Sequence, residues 1–139
     1  MRVFVAGASG AIGRRLMPLL IAGGHQVTGT TRSAEAARKL EAAGVRPAIV
    51  DVYDAAALQR AAIAARPQVV IHQLTDLPQI FDEKELPAAY PRNARIRVEG
   101  TRNLIAAATA AGAQRFIVQS IAFAYAPGGE PHEIGRAHV

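Results

Sequence analysis

With 139 residues, half of them hydrophobic, the chain has the length of one domain and enough apolar material for a buried core. It holds no cysteine and no apolar run near the roughly 20 residues of a membrane span, which excludes disulfides, thiolate metal sites and a spanning helix. A net charge of +5 and an isoelectric point near 10.4 come from fourteen arginines and two lysines scattered along the chain, so a solvated basic surface is expected ahead of a nucleic-acid or other polyanion-binding face.

The first element begins at residue 2. In RVFVAGASGAIG at Arg2–Gly13 the apolar run Val3, Phe4, Val5 reads as a strand, GASGAIG at Gly7–Gly13 places three glycines at intervals of three, and Ile12, Leu16, Leu19 and Leu20 continue with helical spacing. In a strand-turn-helix setting each glycine has a task that a side chain would obstruct. Gly7 makes a tight turn out of the strand, Gly10 allows the backbone to approach a pyrophosphate, and Gly13 allows close helix-to-strand packing. Amides from about Ala11 onward then face the phosphates at the positive end of the helix dipole. This predicts a dinucleotide site built on Gly7, Ser9, Gly10, Ala11, Ile12 and Gly13; an ordinary glycine turn is the alternative reading. A strand opening at residue 2 leaves no room for a signal peptide, and the absence of cysteine then points to the cytoplasm.

The first helix is expected to end near Gly23 and Gly24, with His25–Thr30 as the second strand. Ser33 is placed to cap a helix running to about Ala43 and closed by Gly44, Arg46–Val50 reads as strand three, and Asp54 caps a helix to about Ala65 that Pro67 breaks. Gln68–His72 is strand four. Thr75–Pro91 reads as a long polar loop whose acidic residues Asp82, Glu83 and Glu85 are solvated, with no metal site expected. A helix from about Arg92 or Arg95 to Ala111 is stopped by Gly112, and Gln114–Gln119 is strand five. The alternation predicts an α/β fold, a Rossmann-like doubly wound parallel sheet with five strands in the order 3-2-1-4-5. Residues 1–125 form the binding domain, and the glycine- and proline-rich residues 126–139 read as a loop-like or disordered tail, truncated or ending in out-of-frame or vector-derived residues.

Several of these segments together resemble one family. GASGAIG at Gly7–Gly13, VDVYD at Val50–Asp54, VVIH at Val69–His72, VEGTRNLIAAA at Val98–Ala108 and FIVQSIAFAY at Phe116–Tyr125 look like the extended or atypical short-chain dehydrogenase/reductases. The likeness is narrower to the NAD-dependent epimerase/dehydratase group, and it runs from residue 1 to about 127. It implies that Asp51 accepts from the adenine amino group, with Val52 adding a backbone contact; a turn or capping aspartate is the other reading of Asp51. Past strand two, an NAD-selective site offers a carboxylate to the ribose hydroxyls. Thr30, Thr31, Arg32 and Ser33 stand there instead, and a guanidinium with neighbouring hydroxyls suits a 2′-phosphate, so NADP is expected ahead of NAD. Arg32 as a surface arginine opening a helix is the alternative. Strand four is expected to deliver Gln73, Leu74 and Thr75 beside the cofactor ribose, with His72 structural.

Reductases of this superfamily use a tyrosine made acidic by a lysine four residues later. No such pair exists here, because Lys39 and Lys84 are preceded at that spacing by Glu35 and Ile80. Tyr125 matches a different family tyrosine. Ser120 is a weak candidate for the catalytic serine, since the family serine aligns on Ile121, and Arg97 stands where the family often has asparagine. The chain is therefore expected to be the dinucleotide-binding front part of a longer oxidoreductase or epimerase/dehydratase, with the C-terminal substrate part missing and the small-molecule substrate unread. A naturally short dinucleotide-sensing regulator without turnover, or a scaffold with a vestigial site, are the alternatives. Strand five as an uncovered edge, with Leu104, Ile105 and Ala108 on the preceding helix, predicts a dimer or larger assembly; that those three residues only pack on the sheet is the alternative.

Overall fold

The computed structural model describes residues 1–76 and 86–120. The first strand, β1 (Arg2–Ala6), sets the architecture by alternation, since Val3 and Val5 enter the core on one side of the sheet and Phe4 and Ala6 on the other. It pairs in parallel with β2 (Gln26–Thr31) on one side and β4 (Val69–His72) on the other, and Val5 lies opposite both Gly29 and Ile71. The sheet is completed by β3 (Arg46–Ile49) beside β2 and β5 (Arg115–Val118) beside β4, giving the expected order 3-2-1-4-5. All four residues of β4 are buried, as in a parallel strand covered on both faces.

Two helix layers supply the covering. On one face α1 (Gly13–Ala22) and α2 (Ala34–Ala42) bring Met17 and Leu40 against Val3, Val5, Val27 and Val45. On the other, α3 (Ala55–Ala65) and α5 (Thr101–Ala110) bring Leu58, Leu104 and Ala107 against Phe4 and Val70. The expected caps hold. Ser33 Oγ accepts from the Ala36 amide at 3.3 Å and Asp54 Oδ1 from the Ala57 amide at 2.9 Å, each contributing about 1 kcal/mol. Arg66, in the left-handed region at φ 46°, ends α3 ahead of Pro67.

The expected loop over Thr75–Pro91 requires correction. Helix α4 (Leu86–Arg95) begins well before Arg92 and runs through a π-helical turn, Ile96–Gly100, into α5. Two prolines suggest a loop at first reading, but Pro87 sits in the first helical turn, where a missing N–H costs nothing, and Pro91 removes a single bond from an otherwise helix-forming stretch. The acidic residues Asp82, Glu83 and Glu85, together with Ile121, Tyr125 and the tail 126–139, lie outside the described residues. Among the described residues no helix is long and apolar enough to cross a membrane, and no group of three or more His, Asp or Glu side chains comes together.

Candidate dinucleotide-binding cleft

At the carboxyl ends of β1 and β4 the strand order reverses, so the connections after these neighbouring strands diverge and leave a crevice between them. A cleft of about 960 Å³ opens there. Every predicted cofactor residue except Gly13 and Ser33 lines it.

The glycine turn forms its floor. Gly7 has φ +91°, and a side chain on it would come within 2.9 Å of the Gln73 carbonyl carbon. At Gly13 the added carbon would sit 2.2 Å from Gly7 O and 2.5 Å from Ala8 O, so this glycine is a packing residue between helix and turn. Gly10 differs from both. Its amide closes the turn onto Gly7 O at 3.1 Å, and an added carbon would meet only that same oxygen, at 3.3 Å, because its open side faces the cleft. The ladder of α1 starts with Arg14 N on Gly10 O at 2.9 Å, and among the described residues the Ala11 and Ile12 amides have no backbone acceptor. Orphan amides at a helix start, under a wall that carries no side chain, fit a pyrophosphate.

One wall follows β2 and β3. Asp51 Oδ1 accepts from the Tyr53 amide at 2.9 Å, a turn that fixes the carboxylate at the lip, and Val52 O accepts from Asn103 Nδ2 at 2.9 Å. The Tyr53 ring is covered by the Arg95 guanidinium, 4.0 Å from its centroid, which also pairs with Glu99 at 2.7 Å. Burial raises the Tyr53 pKa despite that charge, so the phenol stays neutral. Thr31 Oγ1 accepts from the Ser33 amide, and the Ser33 hydroxyl is spent on its helix cap, whereas Arg32 is exposed at the lip and pairs with no carboxylate among the described residues.

The opposite wall follows β4. Gln73 N bonds to Ala6 O at 2.9 Å, and the Asp76 amide donates to Asn93 Oδ1 of α4 at 3.1 Å. Arg97, in the π-helical turn, donates from Nη1 to the Gln119 carbonyl at the end of β5. Three buried polar atoms here, Gln73 Oε1, Arg97 Nε and Gln119 Oε1, have no hydrogen-bond partner among the described residues. Ser120 is exposed and does not line the cleft. The sequence reading missed Arg14, Tyr53, Ile96 and Gln119, all lining residues. Arg14 had a signal, as a cation in the first turn after the third glycine, and Ile96 had one in its four-residue spacing to Gly100 and Leu104; Gln119 had none, being brought in by the strand-five register.

A glycine turn at the switch point of a 3-2-1-4-5 parallel sheet, with a carboxylate after β3 and orphan amides at the start of α1, defines a Rossmann-like dinucleotide-binding domain. The chain belongs to the NAD(P)H-binding family, whose family model matches residues 7–138. It is 47% identical over 131 residues to a 3-diazoavenalumate denitrifying reductase of a Streptomyces species, covering 94% of this chain and 41% of that protein. Among solved structures it is similar to a UDP-glucose-4-epimerase from Stenotrophomonas maltophila with bound NAD (TM-score 0.77, 19% identity, 94% of this chain and 40% of that one), a likeness of fold. It is also similar to the Bordetella bronchiseptica enzyme WbmG in complex with NAD and UDP (TM-score 0.66, 26% identity, 85% and 36%). The chain thus spans about two fifths of the length of these proteins.

Proposed function

We propose that this chain is the dinucleotide-binding part of an NADP-preferring oxidoreductase of the epimerase/dehydratase type, incomplete as it stands. The observation that carries this reading is the convergence on one cleft of the glycine turn, the carboxylate of Asp51, the cation of Arg32, which meets no carboxylate among the described residues, and the Gln73–Thr75 segment. In this reading Ser9, Gly10, Ala11 and Ile12 hold the pyrophosphate through backbone amides, Asp51 accepts from the adenine amino group beside Val52, and Gln73 to Thr75 flank the second ribose. Arg32 binds the 2′-phosphate, with Arg14 as a further cation on the cleft.

Bound NADPH supplies a hydride. The chain's own residues orient it, but none among the described residues offers the proton donor that reduction also needs: the cleft is lined by neutral Tyr53 without a lysine partner, and Ser120 is off the cleft. In this reading the proton donor and the substrate contacts come from outside the described residues. By its likeness to the Streptomyces reductase, the reaction class is reduction of a small molecule; NADPH as hydride donor rests on the reading of Arg32, and a cytoplasmic setting on the cysteine-free composition. Calorimetric titration with NADP and NAD tests this. NADP is expected to bind about ten- to a hundredfold more tightly, the worth of one charge-assisted contact of about 1.5–3 kcal/mol. Equal affinities would overturn the NADP preference, and no binding of either would overturn the site.

A further inference from the structure

His72 ends β4 and is 1% exposed, the one titratable side chain among the described residues that is fully buried. Both ring nitrogens are engaged. Nε2 lies 3.0 Å from Thr101 Oγ1, at the first residue of α5, and Nδ1 lies 3.2 Å from the Leu74 amide nitrogen. A backbone amide can only donate, so Nδ1 must present its lone pair, the proton must sit on Nε2, and Thr101 must accept it. The amide thereby dictates one tautomer.

The Leu74 amide is the first backbone donor beyond the reach of the sheet. Gln73 N is still held by Ala6 O, and the ladder to β5 closes with Gln119 N on His72 O at 3.2 Å. Leu74 itself lines the cleft, and the Gln73–Leu74 peptide passes so close to Gly7 that no side chain fits between them. A displacement of this peptide would move the cleft wall at Gln73 and Leu74.

We infer that His72 is a positioning residue for the bound dinucleotide: it fixes the Leu74 amide, and with it the cleft wall on the β4 side, while Thr101 anchors the imidazole to α5. The inference rests on the dinucleotide reading of the cleft. Burial, assisted by the nearby Arg97 charge, lowers the His72 pKa to about 4, so the acceptor nitrogen is available throughout the neutral range. A histidine that merely filled the core would be indifferent to which of its nitrogens is kept.

Two substitutions separate the nitrogens. In His72→Asn the side-chain oxygen takes the place of Nδ1, keeping an acceptor for Leu74 and losing Thr101, while His72→Gln reaches toward Thr101 and leaves the Leu74 amide unbonded. Amide hydrogen exchange is expected to leave Leu74 protected in wild type and His72→Asn and to expose it at least tenfold in His72→Gln. NADP affinity is expected to fall about tenfold in His72→Gln and stay within about twofold in His72→Asn, with 2′,5′-ADP, which lacks the nicotinamide half, bound equally by all three. Equal Leu74 protection in both variants, or equal NADP losses, would overturn the positioning role. If wild type binds neither ligand, the dinucleotide reading fails, and the exchange data decide the positioning role without it. Should either variant fail to fold, the ring ¹⁵N shifts of wild type decide, since a proton on Nδ1 refutes the inference and a proton on Nε2 with a protected Leu74 amide upholds it.

Discussion

The glycine turn permits a test in which folding and binding come apart at two positions three residues apart. A methyl group at Gly13 would stand 2.2 Å from Gly7 O, 2.5 Å from Ala8 O and 2.6 Å from Ala8 C, all backbone atoms, where ordinary contact begins at 3.4 Å. Helix α1 and the turn must separate by roughly 1 Å, an overpacking that costs about 3 kcal/mol. For a domain of this size that is a fall in Tm of about 12 °C. Gly10→Val meets only Gly7 O at 3.3 Å and sends its methyl groups into the cleft, so its Tm should stay within about 4 °C of wild type. Binding behaves in the opposite way: pushing a pyrophosphate off even one or two of the turn amides removes charge-assisted hydrogen bonds of about 1.5–3 kcal/mol each, a loss on the order of a hundredfold. Thermal melts by circular dichroism for Gly13→Ala and Gly10→Val, with NADP titrations of Gly10→Val by calorimetry, read both quantities. A Gly10→Val protein that binds NADP like wild type would refute the phosphate assignment, and one that melts as low as Gly13→Ala would make Gly10 a packing residue instead.

Arg32→Ala is expected to remove most of the preference for NADP while leaving NAD affinity unchanged, and an equal loss for both dinucleotides would place Arg32 away from the 2′-phosphate. His72, whose pKa falls from 6.5 to about 4 on folding, is neutral in the folded chain at pH 5 while the unfolded chain binds a proton there, so its contribution is present above about pH 6.5 and is lost as pH falls toward 4. The urea midpoint should accordingly drop between pH 7 and pH 5 by more in wild type than in His72→Asn; identical drops would contradict the lowered pKa. The purified 139-residue chain should not oxidise NADPH steadily with carbonyl substrates, and sustained turnover would show that it carries its own proton donor. Ile117 and Val118 on β5, the outermost of the described strands on that side, are 50% and 48% exposed, and light scattering is expected to find a dimer or larger assembly that Ile117→Lys dissociates; a monomer across a wide concentration range would sink this.

What could be read in advance follows the range of the physics involved. The strands, the two side-chain caps and the glycine turn each depend on residues within a few positions of one another, and Ser33, Asp54, Gly7 and Gly13 do what their local chemistry predicts. Helix α4 was obscured because proline weighs heavily in a local reading, whereas here one proline occupies a first turn and the buried Ala89 secures the helix by tertiary packing. Ile96 and Gly100 stand four residues apart, in step with buried Leu104 and Ala108, but the donation of Arg97 across to the end of β5 depends on a contact between distant segments that no local spacing encodes.

The two halves of the cleft differ for the same reason. On the β2 and β3 side, Arg32 follows its strand directly and Asp51 stands two residues past the end of β3, so motif spacing reaches both. On the β4 and β5 side the wall is assembled from Gln73, Ile96 and Gln119, with Arg97 behind it, and these meet only because the π-helical turn and the β4–β5 register bring them together. That second side also holds the three buried polar atoms without partners. A buried donor or acceptor left unpaired costs about 1–3 kcal/mol, so three of them approach the whole net stability of a domain, about 5–15 kcal/mol. A fold gains nothing from such a cluster, whereas a bound group or a further segment that supplied the missing partners would recover most of that cost. The legible side of the cleft is built by residues next to their own strands, and the illegible side by contacts between segments far apart in sequence.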